Sequence, residues 1–192
     1  MNHNKRGFSL VEMLVAVGLF SIVMLVATSS LLALVDANRK AQALQSVMNN
    51  LNTAVDGMVR ALRMGTTYHC IDGLQPDRSV AHSCPSGELA IAFEAIGGLS
   101  GTIEVNDQWV YSYDAVAKRL YKSEDNNATK FSLTAPEVDI DSAAFYVVGA
   151  EQGDDLQPKV VIVVRGTAGA DRVKTRTSFN IQATAVQRVI DI

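Results

Sequence analysis

Residues 5–35 read KRGFSLVEMLVAVGLFSIVMLVATSSLLALV, and their charge pattern decides how the chain is built. Two basic residues, Lys5 and Arg6, lead into Gly7 and Phe8, and beyond them Glu12 is the only charge before Asp36. From Met13 to Val35 the 23 residues carry no charge, enough for a helix rising about 1.5 Å per residue to cross a hydrocarbon core about 30 Å thick. Glu12 then falls at the cytoplasmic margin of the span, where an unpaired carboxylate costs on the order of 2 to 3 kcal/mol. Such an acid calls for a partner. Basic residues before the span place the leader in the cytoplasm and the rest of the chain outside.

A basic start followed by an apolar run also describes an ordinary signal peptide or signal anchor. A removed signal peptide would show a small-residue cleavage site closing a short apolar run, and this run is longer and has none. A plain anchor gives no reason for Gly7-Phe8 or for a glutamate five residues past that point. Gly7-Phe8-Ser9-Leu10-Val11-Glu12 after its basic leader resembles the class III signal of type IV prepilins and type II secretion pseudopilins. The resemblance implies that a membrane prepilin peptidase cuts between Gly7 and Phe8 and N-methylates Phe8. Glu12 becomes the fifth residue of the mature chain, where its carboxylate pairs with the Phe8 amino group of a neighbouring subunit. It also implies other pilin or pseudopilin subunits, an inner-membrane platform protein and, indirectly, a cytoplasmic assembly ATPase as partners. No cofactor is implied.

The chain has 192 residues, 17 basic and 20 acidic. Setting aside Lys5, Arg6 and Glu12 leaves 15 basic against 19 acidic beyond residue 35, a net charge of −4. That balance offers no basic field to hold nucleic acid. The expected organisation is a leader over 1–7, the membrane-spanning and assembly half of a helix over 8–35, its amphipathic half over 36–64, and one extracytoplasmic β-rich domain over 65–192.

The amphipathic half follows from Leu44, Val47, Leu51, Val55, Met58 and Leu62, which recur at steps of three and four residues. The period predicts helix to about residue 63, with Gly65 and Thr66-Thr67 as stop signals. Some major type IV pilins break this helix with a proline near the twenty-second mature residue. That position is Ser29 here, and the first proline is Pro76, so no proline kink is expected. Ala16, Gly18, Ser21 and Ala27 are small enough for close helix contacts, or are ordinary membrane-helix residues.

Residues 65–87 read as irregular and hold both cysteines. Two cysteines outside the cytoplasm favour a Cys70–Cys84 disulfide, worth about 3 kcal/mol for a loop of this size. The competing reading is a zinc set of His69, Cys70, His82 and Cys84, whose spacings depart from those of structural zinc sites. Beyond residue 87, strands are expected at 88–94, at 108–114 and 118–122 joined by a turn at 115–117, and at 138–148, 159–165 and 173–186. Gly97 to Gly101 reads as a turn, since no Lys-Ser or Lys-Thr follows to make a phosphate loop. Trp109, Tyr111, Tyr113 and Tyr121 suit cross-strand pairing over a core better than a stacking surface. Val160 to Val164, apolar at every position, suits a central strand covered on both faces. Glu124 to Asn127 and Glu151 to Asp155 could offer oxygen ligands to calcium, but without a recognised ligand order they read better as solvated loop charge.

The order is α+β: one long N-terminal helix packed on a mainly antiparallel sheet. The hairpin around Tyr111, Tyr113, Leu120 and Tyr121 and the closing strand are similar to those of J-type minor pseudopilins and related minor pilins. No catalytic constellation is visible, so a structural subunit is expected rather than an enzyme. The alternatives are a pilus-tip adhesin, marked by an exposed aromatic patch, and a membrane-anchored extracytoplasmic hydrolase.

Overall fold

A computed structural model describes residues 7–70, 80–96, 108–136, 138–151, 153–168 and 176–188. Lys5, Arg6, Pro76, the glycine turn at 97–101 and the start of the strand expected at 173 lie outside the described residues. Two compact units divide the chain, Met1–Gln42 and Ala43–Ile192. One helix, α1 (Leu10–Met64), belongs to both.

In the second unit the stripe read from the sequence is the buried one. Val47, Leu51, Val55, Met58 and Leu62 are buried, and Leu44 packs half-buried beside them. The helix ends at Met64, and Gly65 follows because only glycine fits there: an added Cβ would sit 2.4 Å from the Phe93 ring and 3.0 Å from the Glu94 carbonyl oxygen. Its last carbonyls are satisfied from elsewhere in the chain, as buried helix ends require. The buried Tyr68 hydroxyl reaches the carbonyls of Leu62 and Gly65, and the Arg188 N–H donates to that of Arg63 at 2.8 Å. Burial pushes the Tyr68 phenol well above its ordinary range, so it stays a donor.

Among the described residues, nine strands follow: β1 (Thr66–Cys70), β2 (Cys84–Glu88), β3 (Ala90–Glu94), β4 (Trp109–Asp114), β5 (Arg119–Ser123), β6 (Phe131–Ser132), β7 (Val138–Val148), β8 (Lys159–Ala168) and β9 (Thr177–Val186). They form two antiparallel sheets, β1-β3-β4-β5-β6 and β2-β7-β8-β9. Residues 65–87 are therefore not wholly irregular. Thr66-Thr67 opens an edge strand, and Cys-Pro-Ser-Gly-Glu pairs with β7 despite its turn-like composition. An edge tolerates proline because one side of its backbone pairs with nothing.

In β7 the sequence Val-Asp-Ile-Asp-Ser-Ala-Ala-Phe-Tyr-Val-Val does not alternate throughout. A register shift between Ile140 and Ser142 reconciles it, letting Val138, Ile140, Ala143, Phe145 and Val147 all face the core. One extra residue reverses which face each later side chain takes. Opposite Ile140 stands Gly166, where a Cβ would meet the Asp139 carbonyl oxygen at 2.4 Å and the Phe179 ring at 2.6 Å. The central strand β8 departs from expectation. Val160, Ile162 and Val164 are buried, but Val161 and Val163 are only half-buried, so its second face is partly open. β-branched residues on that face still suit a pleated central strand.

Candidate functional site

The sequence motif falls on the first turn of α1. Gly7, Phe8 and Ser9 precede the helix and are exposed, Phe8 to 75 %. Ser9 is the cap: its Oγ accepts from the Glu12 N–H at 3.3 Å, and its carbonyl accepts from the Met13 N–H at 3.2 Å. Ser9-Leu10-Val11-Glu12 has the S-x-x-E spacing of a capping box, a signal the sequence reading passed over. Glu12 thus has a local use too, since an acid in the first turn faces the positive end of the helix dipole. Among the described residues it makes no ion pair.

Beyond Glu12 the helix is long and apolar enough to cross a membrane, and the side chains of that stretch are exposed. Leu10, Leu14, Leu19, Leu25 and Leu34 are each more than three-fifths exposed. In hydrocarbon every polar group needs a partner within the segment. The hydroxyls of Ser21, Thr28 and Ser29 meet that need by donating to the carbonyls of Val17, Met24 and Leu25, each at 2.8 Å. No side chain projects at Gly18, and a Cβ there would meet nothing within 4 Å.

In the second unit the other sequence candidates resolve into structure. Cys70 and Cys84 form a disulfide, with Cα atoms 6.2 Å apart, that links β1 of one sheet to β2 of the other. Oxidised sulfurs cannot serve as thiolate ligands, so the zinc set is unavailable. His69 is buried in β1, while His82 stands exposed 4.0 Å from Glu151. Glu151 accepts from both the N–H and the hydroxyl of Ser83, and the hydroxyl bond chiefly holds its carboxyl below the usual range. That geometry puts the acid between serine and histidine, so the histidine cannot take the serine proton as a triad requires.

Of the loop carboxylates weighed for calcium, Asp125 and Asp154 bond within their own loops. Asp125 accepts from the Ser123 hydroxyl at 2.6 Å and from the Thr129 N–H at 2.8 Å, which pulls its carboxyl down to about 2. Asp154 accepts from the Leu156 N–H. Among the described residues, no group of three or more His, Cys, Asp or Glu side chains is placed to hold a metal. The aromatics are packed as cross-strand pairs. Phe93 stands opposite Trp109 with ring centres 6.2 Å apart, Tyr111 and Tyr113 are buried, and the Lys122 ammonium covers Trp109 at 3.5 Å. In Ala43–Ile192 the exposed aromatic among the described residues is Phe131 alone.

Residues 2–28 match the model of the prokaryotic N-terminal methylation motif. Comparison with curated proteins and with solved structures returned no match.

Proposed function

We propose that this chain, which carries the type IV pilin and pseudopilin signal, is a minor pilin or minor pseudopilin, cut between Gly7 and Phe8 and assembled through α1. The observation that carries this reading is where the motif falls. Its scissile bond lies in exposed, non-helical backbone, two residues before a capped apolar helix with an acid in its first turn. An extended, accessible peptide is what a protease needs.

Cleavage would leave a positive amino group on Phe8, next to Ser9 at the helix cap. A cation there faces the positive end of the helix dipole, whereas the Glu12 carboxylate suits that end. Each subunit then offers one unsatisfied cation and one unsatisfied anion in the same low-dielectric layer. Pairing Phe8 of one subunit with Glu12 of the next relieves both. Because donor and acceptor are different patches, the contact is head-to-tail and generates an open filament rather than a closed pair.

In this reading the protein sits in the inner membrane by a single span, with residues 65–192 outside. Its partners are the prepilin peptidase, other pilin or pseudopilin subunits, the platform protein and, indirectly, the assembly ATPase. Its role in this reading is that of a structural subunit and not of an enzyme. The test is Gly7→Val, with N-terminal mass analysis of protein recovered from membranes. Wild-type chain should begin at N-methylated Phe8 and the variant should keep its leader. A variant still processed at Phe8, or a wild type that retains residues 1–7, would overturn the reading.

A further inference from the structure

Each sheet has two edges, and three of the four are blunted. β1 carries a register shift between Thr66 and His69 and a left-handed Thr67 at φ 53°. β6 is two residues long. β2 contains Pro85, Gly87 at φ 80°, Glu88 and a register shift of its own. These are the devices by which natural proteins keep an edge from recruiting another strand. β9 has none of them. Its ten residues, Thr-Ser-Phe-Asn-Ile-Gln-Ala-Thr-Ala-Val, include no charge and no proline, and they pair with β8 without a break. Among the described residues β8 is its only partner, so its other side presents a regular row of N–H and C=O groups.

The sequence of that edge says what fits it. About Ile181 the residues mirror one another in kind: Asn180 and Gln182, Phe179 and Ala183, Ser178 and Thr184. Phe179, Ile181 and Ala183 lie half-buried on one face, and Ser178, Asn180, Gln182 and Thr184 are exposed on the other. An identical strand laid antiparallel with Ile181 opposite Ile181 sets amide against amide and hydroxyl against hydroxyl, pairs that stabilise neighbouring strands. On the apolar face it sets the large Phe179 against the small Ala183, which packs without clash. No like charges meet. We infer that β9 is a strand-addition edge whose occupant is β9 of a second copy of this chain, paired antiparallel about Ile181. Such a contact is two-fold and closed. It is therefore distinct from the open helix contact proposed above, and it belongs to the membrane pool of subunits.

The test uses two differently tagged copies of the full chain, co-expressed in membranes and oxidised. Residues directly opposed across two strands have Cβ atoms about 4.5 to 5.5 Å apart, close to disulfide reach, and pairs offset by two positions do not. Asn180→Cys with Gln182→Cys, and Ser178→Cys with Thr184→Cys, should therefore cross-link several-fold more than Asn180→Cys with Thr184→Cys. Yields should be unchanged in the uncleaved Gly7→Val background, which separates this contact from fibre assembly. Adding Asn180→Lys and Gln182→Lys to the Ser178/Thr184 cysteine pair brings four ammonium groups together and should abolish its product. These positions are exposed, and an intact Cys70–Cys84 disulfide reports that the domain still folds. Three results would overturn the inference: no dimer from the matched pairs, equal yields from matched and mismatched pairs, or a product joining this chain to a different protein.

Discussion

Glu12 has two possible uses, and one substitution separates them. As part of the first turn it supports the helix start; as a carboxylate in the membrane margin it seeks a cation. Glu12→Gln keeps a side chain of the same length and its acceptor oxygen, so the turn loses only the favourable charge, about 0.3 to 1 kcal/mol. The lone subunit loses nothing else. Removing an unpaired charge from the membrane margin relieves about 2.5 to 3.5 kcal/mol at most, which outweighs the dipole term, so the Gln variant should be at least as well held in the membrane. Assembly should respond in the opposite sense. If a neighbouring ammonium repays that cost, the loss of about 2.5 kcal/mol corresponds to roughly a 60-fold fall in incorporation at 1.4 kcal/mol per tenfold. The assay is the ratio of processed subunit in the sheared fibre fraction to that in the membrane, with N-terminal mass analysis showing normal cleavage. Ser9→Ala is the control, since it removes the cap, about 1 kcal/mol, without touching the charge. Wild-type incorporation of Glu12→Gln, or equal defects in both variants, would refute the pairing and leave Glu12 a capping residue.

Three further expectations concern the second unit. Tyr68→Phe should destabilise it by about 1 kcal/mol in chemical denaturation, because the carbonyls of Leu62 and Gly65 lose a buried donor; an unchanged midpoint would show that they find another. Replacing both Cys70 and Cys84 by serine should cost about 3 kcal/mol, and a change below a third of that would mean that the two sheets hold their alignment without the bridge. The third is a pH effect. Asp125 is depressed from its ordinary 3.8 to about 2, chiefly by the Ser123 hydroxyl, so its contribution is complete above the unfolded value and lost as pH falls through the folded one. The stability gap between wild type and Ser123→Ala should hold from pH 7 to about 4 and narrow towards pH 2; a gap independent of pH would exclude the carboxylate as its source.

The sequence was most legible where one physical demand dominates. Membrane thickness fixes the apolar run, and helix period marks the stripe from Val47 to Leu62, which is the buried one. The disulfide followed from two cysteines and a compartment. Other features depend on partners far along the chain. Thr66-Thr67 read as a helix stop and also begins a strand, because Thr66 pairs with Glu94 far along the chain. Residues 65–87 read as irregular, yet Cys84 and Glu88 pair with β7 on either side of a register shift that takes up Pro85 and Gly87. A single β-domain was legible, but its division into two sheets was not, since that depends on which strands meet and not on any strand's own pattern. Valines on both faces of β8 suggested cover on both sides, although β-branched residues also favour a strand for its own sake. At the site, Gly7, Phe8 and Glu12 stand out as a motif, while the capping role of Ser9 within it rests on its hydrogen bond with the Glu12 N–H.

The grip on the end of α1 has a mechanical consequence. Tyr68 comes from the five-stranded sheet, and Arg188 lies two residues past β9 of the four-stranded one. A pull on the helix therefore reaches both sheets, through its backbone into β1 and through these hydrogen bonds. The disulfide between β1 and β2 then prevents the sheets from sliding apart at the strand nearest that junction. On the proposed reading, a domain held this way follows its helix whole, as cloth does when the seam is held on both sides.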